Sequence, residues 1–217
     1  MLVLKGEEMT EFWEQAFKDK QEMWGSEPAK SAELAKEFFL EHQVKSVLIP
    51  GIAYGRNAQV FLESDMLVTG IEISQTAIDL ARTHFGDQLK IHCGSVSEMP
   101  FDDKLFDGIF CYGLIHLLDK NEREKLIQDC FKQLSENGCM VFTSISKDAE
   151  TYGQGTLIGK DRFEMFGGVK LFFYDRETIE EEFGNAGLFE VLEIAENYPF
   201  YFIKCRKRQQ NKSIDEN

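Results

Sequence analysis

Short apolar segments alternate with helical segments through most of this chain, and that alternation limits the folds it can adopt. The apolar segment 46–49 ends in Pro50 and Gly51, which is typical of a buried parallel strand followed by a turn. Further strands are predicted at 66–72, 89–93, 106–112 and 138–146, with helices at 57–64, from Ser74 onward and at 120–134. Strands separated by helices of this length run parallel through right-handed crossovers, with the sheet covered on both faces. The chain is therefore predicted to be a doubly wound α/β protein.

The end of the chain follows a different pattern. A helix is predicted over 175–186, and the strand-like segments 190–195 and 199–205 are separated by only a few residues. Because so short a connection cannot be a parallel crossover, these two strands should form an antiparallel hairpin. We therefore expect a Rossmann-like, mostly parallel seven-stranded sheet that finishes in a C-terminal antiparallel hairpin.

The length of 217 residues suits one domain rather than two. We expect a single domain over 1–207, with a helical entry segment at 1–45, and a tail at 208–217 that is expected to be disordered. The segment 147–170 mixes glycines with aromatic residues. It is expected to be either a lid over a substrate pocket or an ordinary packed excursion.

Composition and charge exclude several kinds of partner. The formal charge of −14 opposes nucleic-acid binding, since phosphate contacts supply most of that affinity. No apolar run approaches the ~20 residues of a membrane span and the N-terminus has no signal-peptide pattern, so we expect a cytoplasmic protein without a membrane partner. The five cysteines form no C-x-x-C pair and the four histidines lack metal-like spacing, which predicts reduced thiols and no metal site. A small molecule is the predicted partner.

The turn after the first strand has small residues where a ligand would approach. Gly51, Ala53 and Gly55 allow the backbone to bend sharply, and the N–H groups that open the next helix favour an anionic group. Roughly twenty residues later Glu72 ends the second strand, where a carboxylate can accept hydrogen bonds from both ribose hydroxyls. The turn alone would fit simple packing equally well, but the two features together predict a nucleotide site.

Four segments, in this order and spacing, resemble the nucleotide-binding half of class I S-adenosylmethionine-dependent methyltransferases: VLIPGIAYGRNA, VTGIEISQTAIDLA, GSVSEMPF and FDGIFCYGLIHLL. The Pro-Gly turn and the Glu-Ile-Ser segment look like the thiopurine and thiol methyltransferase group. The Gly-Arg-Asn ending and the Met-Trp-Gly at 23–25 look like the tellurite-resistance methyltransferases. The resemblance implies methyl transfer from S-adenosylmethionine to a small-molecule acceptor, with a thiol or another soft nucleophile as the candidate.

The resemblance also implies a role for each matching residue. The methionine part of the cofactor would be surrounded by Gly51, Ile52, Ala53 and Gly55, and the ribose would be held by Glu72. The remaining implied contacts are Ile73, Ser95 and Val96 around the adenine, and the backbone carbonyls of Cys111 and Tyr112 near the amine and the sulfonium. Trp24 would either cover the sulfonium by cation–π attraction or pack in the core.

Three positions depart from the family pattern. Ile49 stands near the end of the first strand where the family usually has an acid, Ala53 replaces the middle glycine of the turn, and Ser95 stands where aspartate is common. These departures imply weaker binding. They leave open a non-catalytic module that binds S-adenosylmethionine or S-adenosylhomocysteine.

His116 and Tyr112 are the candidate catalytic residues. Methyl transfer needs mainly the alignment of acceptor, methyl group and sulfur, and a base only where the acceptor must lose a proton. His116 follows the fourth strand and would be that base, with a histidine bonded to local backbone as the alternative. A nicotinamide-dependent oxidoreductase would share the glycine turn and the acid, but the predicted terminal hairpin disfavours it.

Overall fold

The computed structural model describes residues 2–208, with side chains described from residue 9 onward. Its helices are α1 (Leu2–Lys20), α2 (Lys30–Glu41), α3 (Gln59–Leu62), α4 (Gln75–Phe85), α5 (Lys120–Gln133) and α6 (Arg176–Phe183). Its strands are β1 (Ser46–Pro50), β2 (Leu67–Glu72), β3 (Leu89–Cys93), β4 (Phe106–Cys111), β5 (Leu134–Ile145), β6 (Thr156–Gly159), β7 (Arg162–Met165), β8 (Val169–Phe172), β9 (Leu188–Ala195) and β10 (Pro199–Arg206).

Seven of these strands form one sheet in the order β3-β2-β1-β4-β5-β10-β9. The pairs among β1 to β5 are parallel, whereas β10 runs antiparallel to both β5 and β9. The predicted mostly parallel sheet with a C-terminal antiparallel hairpin is confirmed. Because β1 lies between β2 and β4, the strand order reverses there, and ligands of open α/β sheets bind at such a reversal.

The sheet is buried on both faces, as parallel strands require. On one face Phe142 packs edge-to-face on Phe183 of α6, with ring centroids 5.2 Å apart. On the other face Phe61 of α3 packs against Phe110 of β4 at 5.4 Å. These rings are almost fully buried. Each such side chain stabilises the fold by about 1.5–3 kcal/mol.

Most predicted elements lie within a few residues of the observed ones. Ser74 is the N-cap of α4, as predicted, because its hydroxyl accepts the Ala77 N–H at 3.2 Å. The predicted helix 57–64 is reduced to one turn, since the glycine turn extends to residue 58 before regular helix begins. The strand predicted from residue 138 begins earlier, at Leu134.

The segment between β5 and α6 contains a second sheet, with β6, β7 and β8 paired antiparallel in that order. Asp161, in the turn between β6 and β7, receives a hydrogen bond from the Tyr152 hydroxyl at 2.6 Å and an ion pair from Lys147 at 2.8 Å. Lys147 also contacts Asp175, the N-cap of α6, at 2.6 Å. The segment predicted as a lid or an excursion is therefore a small ordered sheet joined to the main domain through Lys147.

Other sequence predictions concern the cysteines, membrane-spanning helices, metal ligands and the C-terminal tail. Of the five cysteines, Cys93 is exposed, the other four are buried, and none forms a disulfide. No helix within residues 2–208 is both long and apolar enough to cross a membrane. Over the same described range, no group of three His, Cys, Asp or Glu side chains could hold a metal ion. The tail predicted at 208–217 lies outside the described residues, apart from Arg208.

Candidate functional site

The carboxyl ends of β1 to β4 lie side by side where the strand order reverses. The loops that follow these strands contain the residues predicted to contact a cofactor. They are 51–55 after β1, Ile73 after Glu72 at the end of β2, Ser95 and Val96 after β3, and Tyr112 after Cys111 at the end of β4. Parallel strand topology thus brings all of them to one edge of the sheet.

The turn after β1 doubles back over the sheet. The N–H groups of Gly51 and Ile52 both donate to the Ile71 carbonyl, at 2.9 and 3.1 Å, which ties the turn to the neighbouring strand. Gly55 has a φ of +86°, and a Cβ built there would lie 2.7 Å from the ring of Phe85. A side chain at this position would therefore be disfavoured by both backbone conformation and space.

Glu72, at the end of β2, is a buried carboxylate that accepts three backbone hydrogen bonds. It is 6% exposed, and its Oε1 accepts the N–H groups of Ile73 and Ser74, each at 2.9 Å. Its Oε2 accepts the N–H of Ala53 at 2.8 Å. Burial raises the pKa of the Glu72 carboxyl, and these three hydrogen bonds oppose that rise.

Those hydrogen bonds limit what Glu72 can still accept. A carboxylate offers about four lone pairs, two on each oxygen. Both lone pairs of Oε1 are used by backbone N–H groups, and Ala53 uses one on Oε2. The geometry therefore leaves one strong acceptor position, suited to a single hydroxyl, where the sequence predicted bonds to both ribose hydroxyls.

The residues after β3 and at the end of β4 offer mainly backbone and apolar surface. The hydroxyl of Ser95 already accepts the N–H of Ser97 at 3.2 Å, and Val96 is 8% exposed. Cys111 is fully buried, and burial raises the pKa of its thiol. Any contact of Cys111 with a ligand would have to use its backbone.

Tyr112 lies at the open edge of the sheet. Its hydroxyl donates to Glu196, in the turn between β9 and β10, at 2.9 Å, and the guanidinium of Arg56 lies 5.6 Å from its ring centroid. Burial and the Glu196 carboxylate together raise the pKa of Tyr112 to about 12. The next residue, Gly113, would meet no atom within 4 Å if it had a Cβ. There is thus free space directly beside Tyr112.

The segment 24–31, which we call the strap, contains the end of the connection between α1 and α2 and the first two residues of α2, and it contacts this edge. Its backbone is bonded to side chains on both sides of the site. The bonds are Tyr54 hydroxyl to Gly25 carbonyl at 2.8 Å, Arg56 to Glu27 carbonyl at 3.0 Å, Ala29 N–H to Asn57 at 2.9 Å and Ser31 N–H to Glu196 at 2.5 Å. The strap therefore spans from the glycine turn to the terminal hairpin.

Trp24 begins the strap. Its ring stacks on Tyr54 with centroids 6.1 Å apart and planes 15° apart, and its backbone N–H donates to the Tyr54 hydroxyl at 3.1 Å. Its side chain remains 43% exposed. Trp24 thus lies beside the glycine turn with a face available to solvent or ligand, which is compatible with the predicted cover for a cofactor.

Residues 48–142, which include every one of these strand ends, match the family model described as Methyltransferase domain. This segment is therefore similar in sequence to methyltransferase domains. A ubiquinone biosynthesis O-methyltransferase of Coxiella burnetii is 25% identical over 122 residues, which are 52% of this chain and 51% of that protein. The chain therefore spans about half the length of that relative. An O-methyltransferase of Penicillium expansum is 33% identical over 85 residues, 36% of this chain and 31% of that protein.

Solved methyltransferases share the fold of most of the chain. The 1,6-didemethyltoxoflavin-N1-methyltransferase of Burkholderia thailandensis, crystallised with 1,6-didemethyltoxoflavin and S-adenosylhomocysteine, superposes with a TM-score of 0.71. The match covers 93% of this chain and 88% of that one at 16% identity. None of these likenesses assigns the chain to the thiopurine and thiol group or to the tellurite-resistance group.

His116 is 7% exposed and lies in the short helical turn after β4. Its Nδ1 accepts the Ile145 N–H at 3.2 Å, and its ring stacks on Phe200 with centroids 6.0 Å apart. Burial lowers the pKa of His116 to about 4. Since Nδ1 acts as acceptor, the proton of the neutral ring is on Nε2. The lone pair of Nδ1 is already used by the Ile145 N–H. His116 is thus bonded to backbone, as in the alternative to a catalytic base, but to the distant backbone of β5 rather than to local backbone.

Three polar residues of the site were not predicted from the sequence. Arg56 and Glu196 hold the strap, and Glu14 of α1 contacts the start of α4. Each of them contacts residues that are distant in the sequence, so no local sequence motif identifies it. For Arg56 alone a signal existed, because it belongs to the Gly-Arg-Asn ending that resembles the tellurite-resistance enzymes.

Proposed function

We propose that this chain binds S-adenosylmethionine at the edge formed by residues 51–55, Glu72 and Tyr112, and transfers its methyl group to a small-molecule acceptor. The observation that carries the proposal is the 2.8 Å bond between the Ala53 N–H and Glu72. It holds the glycine turn and the ribose acid together at the reversal of strand order, where nucleotides bind. The methyltransferase family match over 48–142 supports it.

The residues of this edge fit the parts of such a nucleotide. The bent backbone at Gly51, Ile52, Ala53 and Gly55 would receive the methionine part, and the free acceptor position of Glu72 would receive one ribose hydroxyl. Apolar Ile73 and Val96, with Ser95, would border the adenine, and the backbone of Cys111 and Tyr112 would face the amine. Trp24 would cover the sulfonium side.

The chain's own contribution would be alignment and exclusion of water. S-adenosylmethionine, when bound, supplies a methyl group on a positively charged sulfur, which is already activated for displacement. Tyr112 would orient the acceptor in line with the methyl group, and the open space at Gly113 would leave room for the acceptor. The strap and Trp24 would reduce access of water, and alignment of this kind can account for much of an enzyme's rate enhancement.

The acceptor we propose is a thiol or another nucleophile that ionises without help. The lone pair of His116 is used by Ile145, and the Tyr112 hydroxyl donates to Glu196 with its pKa at about 12. Neither group is therefore free to remove a proton near pH 7. A soft acceptor needs no such base, and this proposal agrees with the resemblance of the Glu-Ile-Ser segment to the thiol methyltransferase group.

Binding is the first test of the proposal. Calorimetric titration of the full chain with S-adenosylhomocysteine should show one site, whereas NAD⁺ at the same concentrations should give no heat of binding. Competition by S-adenosylmethionine should reduce the S-adenosylhomocysteine signal. Binding of NAD⁺ without S-adenosylhomocysteine would instead favour the oxidoreductase alternative and would overturn the proposal.

Transfer is the second test. The chain is incubated with S-adenosylmethionine and a panel of aliphatic thiols, thiophenols, phenols, carboxylates and amines, and S-adenosylhomocysteine and methylated product are quantified by mass spectrometry. We expect product from thiols before amines. Methylation of phenols alone would keep the methyltransferase and reject the soft acceptor. Tight nucleotide binding without product from any class would favour the non-catalytic module.

A further inference from the structure

Helix α1 places an acidic side chain on the start of α4, directly after the predicted ribose acid. Glu14 accepts the Ser74 hydroxyl at 2.7 Å and the Thr76 N–H at 3.1 Å through Oε2. Its Oε1 accepts the Thr76 hydroxyl at 2.7 Å. A carboxylate at a helix N-terminus satisfies an otherwise unpaired N–H and interacts favourably with the helix dipole.

Ser74 connects this contact to the nucleotide site. Its hydroxyl donates to Glu14, while its backbone N–H donates to Glu72 at 2.9 Å. The two carboxylates therefore lie on either side of one residue, and each restrains a different part of it. If the Ser74 backbone moved, Glu72 would lose one of the two bonds that hold its Oε1.

Aromatic contacts hold the same helix against the glycine turn. Phe17, one turn after Glu14, is 2% exposed and packs edge-to-face on Tyr54 with centroids 6.3 Å apart. Trp24 packs edge-to-face on Phe17 with centroids 5.7 Å apart and stacks on Tyr54. Because Tyr54 is part of the turn and Thr76 is part of α4, α1 bridges two of the elements that would enclose the nucleotide.

We infer that Glu14 is a positioning residue for nucleotide binding: by fixing Ser74 and docking α1, it holds Glu72 in the orientation that receives the ribose. Docking of α1 and binding of the nucleotide then strengthen each other, as any two coupled equilibria must. This inference rests on the proposed function, since it takes Glu72 to be the ribose acceptor.

The test measures S-adenosylhomocysteine affinity by calorimetry in the wild type and in Glu14→Gln, at a temperature where both are folded. We expect Glu14→Gln to weaken binding by about fivefold or more, within the usual range of coupling between sites. The matched control is Glu11→Gln, which removes the same charge from an exposed position of the same helix and should leave affinity unchanged. Absence of binding in the wild type would overturn the proposed function and this inference with it, whereas unchanged affinity in Glu14→Gln would overturn this inference alone.

A second variant separates positioning from a general loss of stability. Asp107→Asn removes a carboxylate that accepts the N–H groups of Lys45 and Ser46 at the opposite end of the sheet. We expect it to lower the melting temperature without changing S-adenosylhomocysteine affinity. If Glu14→Gln also lowered only the melting temperature, Glu14 would be structural and the inference would be wrong.

Hydrogen exchange and a double-mutant cycle measure quantities that would not change if Glu14 had only a structural role. S-adenosylhomocysteine should slow amide exchange within α1 in the wild type and much less in Glu14→Gln. Thr76→Val removes the hydroxyl that Glu14 accepts, so its effect on affinity should be largely lost when Glu14 is already Gln. Additive effects of the two substitutions, or exchange in α1 that ignores the nucleotide, would contradict the coupling.

Discussion

The backbone N–H of Ala53 donates to the Glu72 carboxylate at 2.8 Å, although the two residues follow different strands. Ala53 has a φ of +53°, a left-handed conformation that side chains with a Cβ rarely adopt. The hydrogen bond needs this conformation, because it turns the Ala53 N–H toward the end of β2. Ala53 therefore keeps an unfavourable backbone conformation, and its charge-assisted hydrogen bond to Glu72 offsets the cost of that conformation.

Ala53→Gly should therefore stabilise the protein. The left-handed conformation costs a non-glycine residue roughly 1–2 kcal/mol, while glycine raises the entropy of the unfolded chain by about 0.4–1 kcal/mol. The free energy of unfolding, measured in urea, should rise by up to about 1 kcal/mol. Ala53→Val, which is β-branched, should lower it, and a stabilising Ala53→Val would contradict the account of this turn.

Glu72→Ala should affect both stability and binding. It leaves three N–H groups without their acceptor, that of Ser74 buried and those of Ala53 and Ile73 partly buried, at about 1–3 kcal/mol for each group that water cannot reach, so a loss of roughly 1–3 kcal/mol in unfolding free energy is expected. S-adenosylhomocysteine affinity should fall about tenfold or more, since a charge-assisted bond contributes roughly 1.5–3 kcal/mol. Glu63→Ala, at an exposed position after α3, is the control. Unchanged affinity in folded Glu72→Ala would remove Glu72 from the site.

His116→Asn distinguishes a catalytic base from a packed side chain. The Asn carbonyl can occupy the place of Nδ1 and accept the Ile145 N–H, so we expect folding and methyl transfer to be retained within several-fold. His116→Leu removes that acceptor and should lower the unfolding free energy by about 1–3 kcal/mol. Loss of a general base would instead reduce turnover by roughly 10²–10⁴-fold in His116→Asn, without loss of stability.

Stability should fall on acidification in two separate windows. Burial lowers the pKa of His116 from 6.5 to about 4, so the unfolded chain binds more protons between these values. The stabilisation present above pH 6.5 is therefore lost as the pH falls toward 4. Partial burial opposes the shift of Glu14, but hydrogen bonds from Ser74 and Thr76 lower its pKa from 4.5 to about 2, so its contribution is lost from pH 4.5 toward 2.

Melting temperatures measured across pH check these two windows separately. His116→Asn should flatten the curve between pH 6.5 and 4, and Glu14→Gln should flatten it between 4.5 and 2. A wild-type curve that is level between pH 6.5 and 4.5 would show that His116 is protonated as easily in the folded protein as in the unfolded chain.

Much of the fold was predictable because its determinants are local. The run 46–49 and its neighbours show the unbroken apolar character of strands buried on both faces, and the few residues between 195 and 199 permit only a hairpin. The meeting of the glycine turn and Glu72 at one edge of the sheet was predictable to the same extent, since one follows β1 and the other ends β2. Their contacts with a nucleotide stay a prediction, and the sequence did not show that backbone N–H groups use most of the lone pairs of Glu72.

The remaining parts of the site depend on contacts between distant segments. Glu14 and Thr76 are 62 residues apart, and Tyr112 and Glu196 are 84 apart. Nothing around Glu14 distinguishes it from Glu11, because only the docking angle of α1 decides which of them meets α4. Strand β6 of the small sheet was missed for a related reason: it is exposed throughout, so it lacks the alternation that indicates a half-buried strand.

Lys147→Met should loosen the small sheet of β6 to β8 without unfolding the domain. Lys147 joins Asp161 of this sheet to Asp175 at the start of α6, and methionine keeps the length of the side chain but not its charge. If the small sheet covers the acceptor, the KM for the acceptor should rise several-fold while S-adenosylhomocysteine affinity stays unchanged, and amide exchange over 156–172 should accelerate. Lys160→Met, at an exposed position of the same sheet, should change none of these quantities. Faster exchange with an unaltered KM would mean that the sheet is ordered for reasons other than acceptor binding.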